Sequence, residues 1–110
     1  MLERVLQKKV LKYLKQRGGV WLNTSPGPYS AVGIPDIIGC YRSQFVAIEL
    51  KSPDRGKDAE KGLSPAQRRM LEAISDSDGW AMACNDMASI ITLLSRIDKH
   101  VEENMLQWLA

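Results

Sequence analysis

A chain of 110 residues, 45% of them apolar and 25% charged, has the size and composition of one folded domain, which excludes two independent cores and a disordered or fibrous chain. Its net charge of +2 is too small for the whole-molecule field to select a polyanionic partner. No apolar run approaches the ~18 residues that cross a bilayer, and Cys40 and Cys84, in IIGCY and AMACN without metal-ligand spacing, read as reduced core residues of a cytoplasmic protein with no membrane partner.

Leu2, Val5, Leu6, Val10, Tyr13 and Leu14 recur at spacings of three and four, so a first amphipathic helix is expected from roughly 2 to 17, ended by Gly18 and Gly19. Its bases are Arg4, Lys8, Lys9, Lys12, Lys15 and Arg17, opposed only by Glu3. Lys8, Lys12 and Lys15 recur with Arg4 at helical spacing, which makes either a phosphate-facing surface or a solvated helix face. Val20-Trp21-Leu22 reads as a short strand with Trp21 in the core, and 23–33 as a loop rich in Ser, Pro and Gly.

Two β-rich runs follow, 36–41 and 45–50, joined through Arg42-Ser43-Gln44 as a hairpin at the sheet centre. The stretch 52–62 carries Pro, Gly and charges of both signs, and is expected to be an exposed, mobile loop. Ser64-Pro65-Ala66-Gln67 satisfies three helix-start signals at once, namely an N-cap Ser, Pro at the first helical position and Gln three residues after the cap. A helix over about 65 to 75 should follow, then a strand at 80–84. A last helix, capped by Asn85 or Asp86, should bury Met87, Ile90, Ile91, Leu94 and Ile97. The fold class is α/β, in the order α-β-β-β-α-β-α.

Gly33-Ile34-Pro35-Asp36 enters the hairpin and Ile48-Glu49-Leu50-Lys51 leaves it. Side chains alternate across a strand, so Glu49 and Lys51 share one face while Ile48 and Leu50 take the core side. A turn centred on Ser43 sets position 36 opposite about position 50 and brings Asp36 within reach of both. Two carboxylates at a strand end are hard ligands for Mg²⁺ or Mn²⁺, and the Leu50 carbonyl can be a further one. Such a centre with a lysine beside it suits phosphodiester hydrolysis: the ion acidifies the attacking water and stabilises the leaving oxygen, and Lys51 offsets charge on the phosphate. Either fragment alone is more often a solvated strand face or a turn starter; their joint spacing is what argues for a site.

On Gly33-Ile34-Pro35-Asp36, Glu49-Leu50-Lys51, Gln67 and Glu3, the chain resembles the virus-type replication-repair nuclease (VRR-NUC) domain, a branch of the PD-(D/E)xK nucleases often found as stand-alone phage proteins, over nearly its whole length. The resemblance implies a restriction-endonuclease-like fold with a mixed central sheet flanked by helices, one VRR-NUC domain over 1–110, and a bacterial host or phage source. It also implies Asp36, Glu49 and Lys51 as catalytic residues with Gln67 as an added polar one. Asp36 and Glu49 would be the metal carboxylates and Glu3 a further acid near the ion. Gln67 is equally explained by the capping box and Glu3 by a helix N-terminus. The implied activity is Mg²⁺- or Mn²⁺-dependent DNA cleavage, structure-specific on branched DNA such as four-way junctions or flaps, by a homodimer. The alternative is a catalytically inactive DNA-binding module of the same fold.

Other DNA contacts are expected from Lys8, Lys12 and Lys15, from the loops at 23–30 and 53–61, and from Tyr29 by stacking. Met105, Leu106, Trp108 and Leu109 form either a dimer contact or a last turn folded onto the same core. His100, the single histidine, reads as a residue at a helix C-terminus and leaves no Ser-His or Cys-His chemistry.

Overall fold

The helical stripe and the β-rich runs condense, in a computed structural model, into a four-stranded mixed sheet with helices on both faces; the structure describes residues 2–24, 33–53 and 58–109. In chain order the elements are α1 (Leu2–Arg17), β1 (Val20–Asn23), β2 (Ile37–Tyr41), β3 (Gln44–Leu50), α2 (Pro65–Asp76), β4 (Trp80–Cys84) and α3 (Met87–Leu109), with a 3-10 turn at Ala59–Gly62. The sheet order is β1-β2-β3-β4, antiparallel except for the parallel β3–β4 pair. None of the helices described is long and apolar enough to cross a membrane.

Alternation along β3 divides the molecule into layers. Val46, Ile48 and Leu50 join Ile37, Cys84, Leu6, Val10, Leu14, Ile90, Leu94 and Ile97 in one core beneath α1 and α3. Ala47 and Glu49 point to the other face, where α2 packs against β4. Trp21 lies in the core against Tyr41, and its indole N–H donates to the Gly18 carbonyl at 2.8 Å. Its partner across the ladder is Gly39, where a Cβ would stand 2.5 Å from the indole ring, so this strand position is closed to any side chain.

Five expectations are corrected by the packing. Val5 is exposed, because the buried stripe of α1 is Leu6, Val10 and Leu14. In α3 Leu93 is buried and Ile91 exposed, since the helix presents its 90, 93, 94 and 97 positions to the sheet. Cys40 is exposed on the sheet face opposite the core, and only Cys84 is buried. The stretch 52–62 holds the 3-10 turn with Ala59 buried, so this part is a packed connection. His100 is interior to α3, which runs nine residues further to Leu109, and its ring meets Trp80 edge-on at 5.5 Å.

The hairpin turn is tighter than the expected three-residue connection. Gln44 pairs with Tyr41 as the first residue of β3, leaving a two-residue turn at Arg42 (φ 49°) and Ser43 (φ 71°). Positive φ at both central positions suits the right-handed twist of the strands. The register that follows sets Ile37 against Ile48, so position 36 falls opposite 49 rather than 50. At the far end of the chain, Met105, Leu106, Trp108 and Leu109 are exposed, Trp108 at 91%. The alternative of a last turn folded onto the same core is therefore overturned.

Candidate active site

Asp36 precedes β2, and its backbone is held from three sides. Its carbonyl accepts from Thr24 N–H at 2.8 Å, its N–H donates to Glu49 Oε1 at 3.2 Å, and Thr24 Oγ1 donates to the Pro35 carbonyl just before it. The side chain is directed by Leu50, whose N–H donates to Asp36 Oδ2 at 2.8 Å. Within an extended strand the N–H and C=O of one residue face the same side, so the Leu50 carbonyl is turned toward Asp36 as well. The approach to this corner depends on Gly33, at φ +88°, where a Cβ would stand 2.7 Å from the Ala66 carbonyl in the first turn of α2.

Glu49 sits in line across from Asp36, on the α2 face, and is 4% exposed. Its Oε1 accepts from Asp36 N–H; its Oε2 accepts from Gln67 Nε2 at 2.8 Å and lies 3.5 Å from Lys51 Nζ. Lys51 Nζ donates to Gln67 Oε1 at 3.0 Å. Burial first, and then the charge of Asp36, push the Glu49 carboxyl from its ordinary 4.5 up to about 7, against the opposing pull of Lys51. The difference corresponds to roughly 3 kcal/mol against keeping that charge in place.

Gln67 serves two structures at once. Its backbone N–H donates to Ser64 Oγ at 3.1 Å and its Oε1 accepts from Ser64 N–H at 2.8 Å, which closes the capping box of α2. The same side chain bridges Lys51 and Glu49. The capping-box reading of Gln67 is borne out, and its amide also reaches the residues expected at the site. The first turn of α2 is thereby fastened to the end of the hairpin.

The structure brings Asp36, Glu49, Lys51 and Gln67 together, with the Leu50 backbone alongside. Glu3 is not in this group: among the described residues no three carboxylate, His or Cys side chains share a site, and Glu3 is exposed at the start of α1. Lys8, Lys12 and Lys15 are exposed on the outward side of α1, in the layer across the sheet from α2 and Glu49. Tyr29, with the rest of 25–32, lies outside the described residues, as do 54–57 of the second loop. Thr24 and Ser64 belong to the site's support although the sequence reading did not single out Thr24. Its signal was position, next along β1 after Asn23 and so across from residue 36.

The described surface also carries a hollow away from this cluster. An open cleft of about 860 Å³, lined by Gln44, Trp80, Met82, Thr92, Arg96 and His100, lies at the opposite end of β3. Asp78 is the single carboxylate of its lining, so the paired carboxylates point to the hairpin end. In comparisons with known proteins, no family model, no curated protein and no solved structure matches the chain.

Proposed function

We propose that the protein is a metal-dependent DNA endonuclease of the PD-(D/E)xK type, in its VRR-NUC branch, acting on branched DNA such as four-way junctions or flaps. The observation that carries this reading is the pairing of half-buried Asp36 with buried Glu49, set on adjoining strand ends with Lys51 within 3.5 Å of Glu49. A chain gains nothing in stability from crowding two carboxylates until one rises to about 7. Such a cost is characteristic of a site built to receive a cation or to handle protons.

The donor set fits Mg²⁺ or Mn²⁺. Asp36 and Glu49 offer hard carboxylate oxygens, the Leu50 carbonyl is turned to the same corner, and ions of this kind retain several waters, so three protein oxygens suffice. When bound, the ion supplies Lewis acidity for the attacking water and the leaving oxygen. Glu49 and Asp36 would hold it, and their mutual repulsion would be relieved by doing so. Lys51, 14% exposed, gives an ammonium that offsets charge gathering on the scissile phosphate and orients the water. Gln67 bridges Lys51 and Glu49 by accepting from one and donating to the other. Hydrolysis breaks one P–O bond while the water oxygen forms another, and no protein nucleophile is needed.

A homodimer through the exposed end of α3 belongs to the same proposal, since Leu106, Trp108 and Leu109 leave a large apolar surface uncovered in one copy. The deciding experiment is nicking of four-way, flap and linear DNA with Mg²⁺ or Mn²⁺ by the wild type, Asp36→Ala and Lys51→Ala. Cleavage by the wild type alone is expected. Equal behaviour of all three would leave a DNA-binding module without catalysis.

A further inference from the structure

The capping box of α2 is ordinarily a device of helix stability. Here its Gln side chain is shared with the cluster of Asp36, Glu49 and Lys51, and that sharing assigns work to the cap residue. Gln67 Oε1 accepts two hydrogen bonds, one from Lys51 Nζ at 3.0 Å and one from the Ser64 backbone N–H at 2.8 Å, while Nε2 donates to Glu49 Oε2 at 2.8 Å. If the amide were turned over, its NH₂ would face two donors and its oxygen would face a carboxylate. All three contacts would be lost together.

Lys51 is the less fixed partner in this arrangement, because its ammonium sits at the end of a flexible stem and can turn toward a substrate phosphate. Ser64 is not, since its donor belongs to the backbone at the start of a helix whose next turn is anchored by the Arg68 N–H to Ser64 carbonyl bond at 3.0 Å. With Lys51 turned toward the phosphate, the Ser64 N–H is the remaining donor that holds Oε1, and so keeps Nε2 aimed at Glu49. We infer that Ser64 is a positioning residue of the active site: its backbone N–H fixes the orientation of the Gln67 amide, and through it the Glu49 carboxylate, while Lys51 engages the scissile phosphate. This rests on the nuclease reading above and extends it to a residue that touches neither metal nor DNA.

Ser64 can be dissected without disturbing the chain path. Its φ of −71° is one that proline adopts, and Leu63 before it is extended at ψ 135°, as a residue preceding proline must be. Ser64→Pro therefore removes both the hydroxyl cap and the N–H donor. Ser64→Ala removes the hydroxyl cap alone, and Ser64→Thr retains both. The two weakened caps make comparable losses to the helix, so their difference isolates the N–H to Oε1 bond.

The test compares these three variants of the full chain in Mn²⁺-dependent nicking of a four-way junction. In parallel, the side-chain amide resonances of Gln67 are followed by ¹⁵N NMR. Ser64→Pro is expected to lower kcat about tenfold relative to Ser64→Ala at unchanged KM, within the range for residues that orient a metal ligand. Ser64→Thr should restore the wild-type rate, and the Gln67 amide pair should shift and broaden in Ser64→Pro only. Equal kcat for Ser64→Pro and Ser64→Ala would overturn the assignment, leaving Ser64 as a helix cap. Should the wild type fail to nick any DNA, the nuclease reading falls. The NMR comparison then still decides for or against the amide lock, by whether the Gln67 resonances respond to proline but not to alanine.

Discussion

Two polar clusters tie this fold together, and they are built in opposite ways. At one end of the β2–β3 hairpin, Asp36 meets Glu49, and Glu49 has a single Lys51 and an uncharged Gln67 as side-chain partners. At the other, one acid, Asp98 of α3, receives Arg42 at 3.0 Å and the Tyr41 hydroxyl at 2.7 Å, together with Arg17 from α1. Burial alone would raise Asp98, but the hydrogen bonds of Tyr41 and Arg42 and the charge of Arg17 hold it below its ordinary value. Glu49 is raised to about 7. An acid met by two guanidinium groups and a hydroxyl is satisfied and fastens three elements. Two acids with one ammonium between them keep an excess of negative charge, and that imbalance is what sets the proposed site apart from the strut.

The sharpest way to break the comparison is to move the activity. Lys51→Ala and Asp36→Ala should each lower metal-dependent nicking by at least about 100-fold. Asp98→Asn should leave the rate per folded molecule within a factor of about three, since its cluster lies at the turn end of the hairpin. Single-turnover rates on one junction substrate decide the matter. Loss of rate in Asp98→Asn with the fold intact would erase the distinction.

The two clusters also carry opposite pH signatures. Glu49 has a folded pKa raised from 4.5 to about 7, so its contribution is fully present below about 4.5 and is lost as pH rises through 7. Asp98 is lowered from 3.8, so its contribution is present above that value and is lost as pH falls through the depressed pKa. Without divalent ions, urea denaturation should therefore show stability falling between about pH 5 and pH 8, by roughly 3 kcal/mol at most. Glu49→Gln should flatten this slope, and added Mn²⁺ should offset it in the wild type. A wild-type slope unchanged in Glu49→Gln would show that the carboxylate pair is not strained.

Much of this was legible in the chain itself. The apolar spacing of Leu6, Val10 and Leu14 bounded α1, and Ser64-Pro65-Ala66-Gln67 located the start of α2, because both signals are local and follow helix geometry. The facing of Asp36 and Glu49 was approached but missed by one residue, since assigning Gln44 to the turn shifted the register. A one-residue slip matters in a sheet: position 36 opposite 50 would have put Asp36 on the core face, away from Glu49. The Asp98 cluster was not legible. Its members are separated by up to 81 residues and are gathered by the packing of α1 and α3, which no short spacing encodes. The same holds for Lys8, Lys12 and Lys15, whose helical face was readable but whose layer was not.

Removing the acid of the strut sharpens the comparison further. Asp98→Ala leaves Tyr41, Arg17 and Arg42 without their shared acceptor, and should cost about 1 to 2 kcal/mol, allowing for its partial exposure. Chemical denaturation at pH 7 measures this. A change below about 0.5 kcal/mol would mean that the cluster fastens nothing. Hydrogen exchange should then show the opening at the Arg42-Ser43 turn, where α3 loses its grip on the hairpin.

The smallest effect is expected at Arg42, where two terms of similar size oppose each other. Arg42 bridges Asp98 and the exposed Glu102, at 3.0 and 3.5 Å, and stands at φ 49° in the turn. A non-glycine residue held in the left-handed region carries a backbone cost, while an exposed bridge of this kind contributes little. Arg42→Ala loses the bridge and keeps the backbone cost, so it should lower the denaturation midpoint slightly. Arg42→Gly loses the bridge but relieves the backbone, offset by the greater freedom of glycine in the unfolded chain, so it should come out near zero. If both variants lose as much stability as Asp98→Ala, Arg42 is a principal tie of the hairpin to α3. The strut would then depend on its guanidinium rather than on Tyr41 and Arg17, and the contrast with the lysine-poor site at the other strand end would rest on one residue.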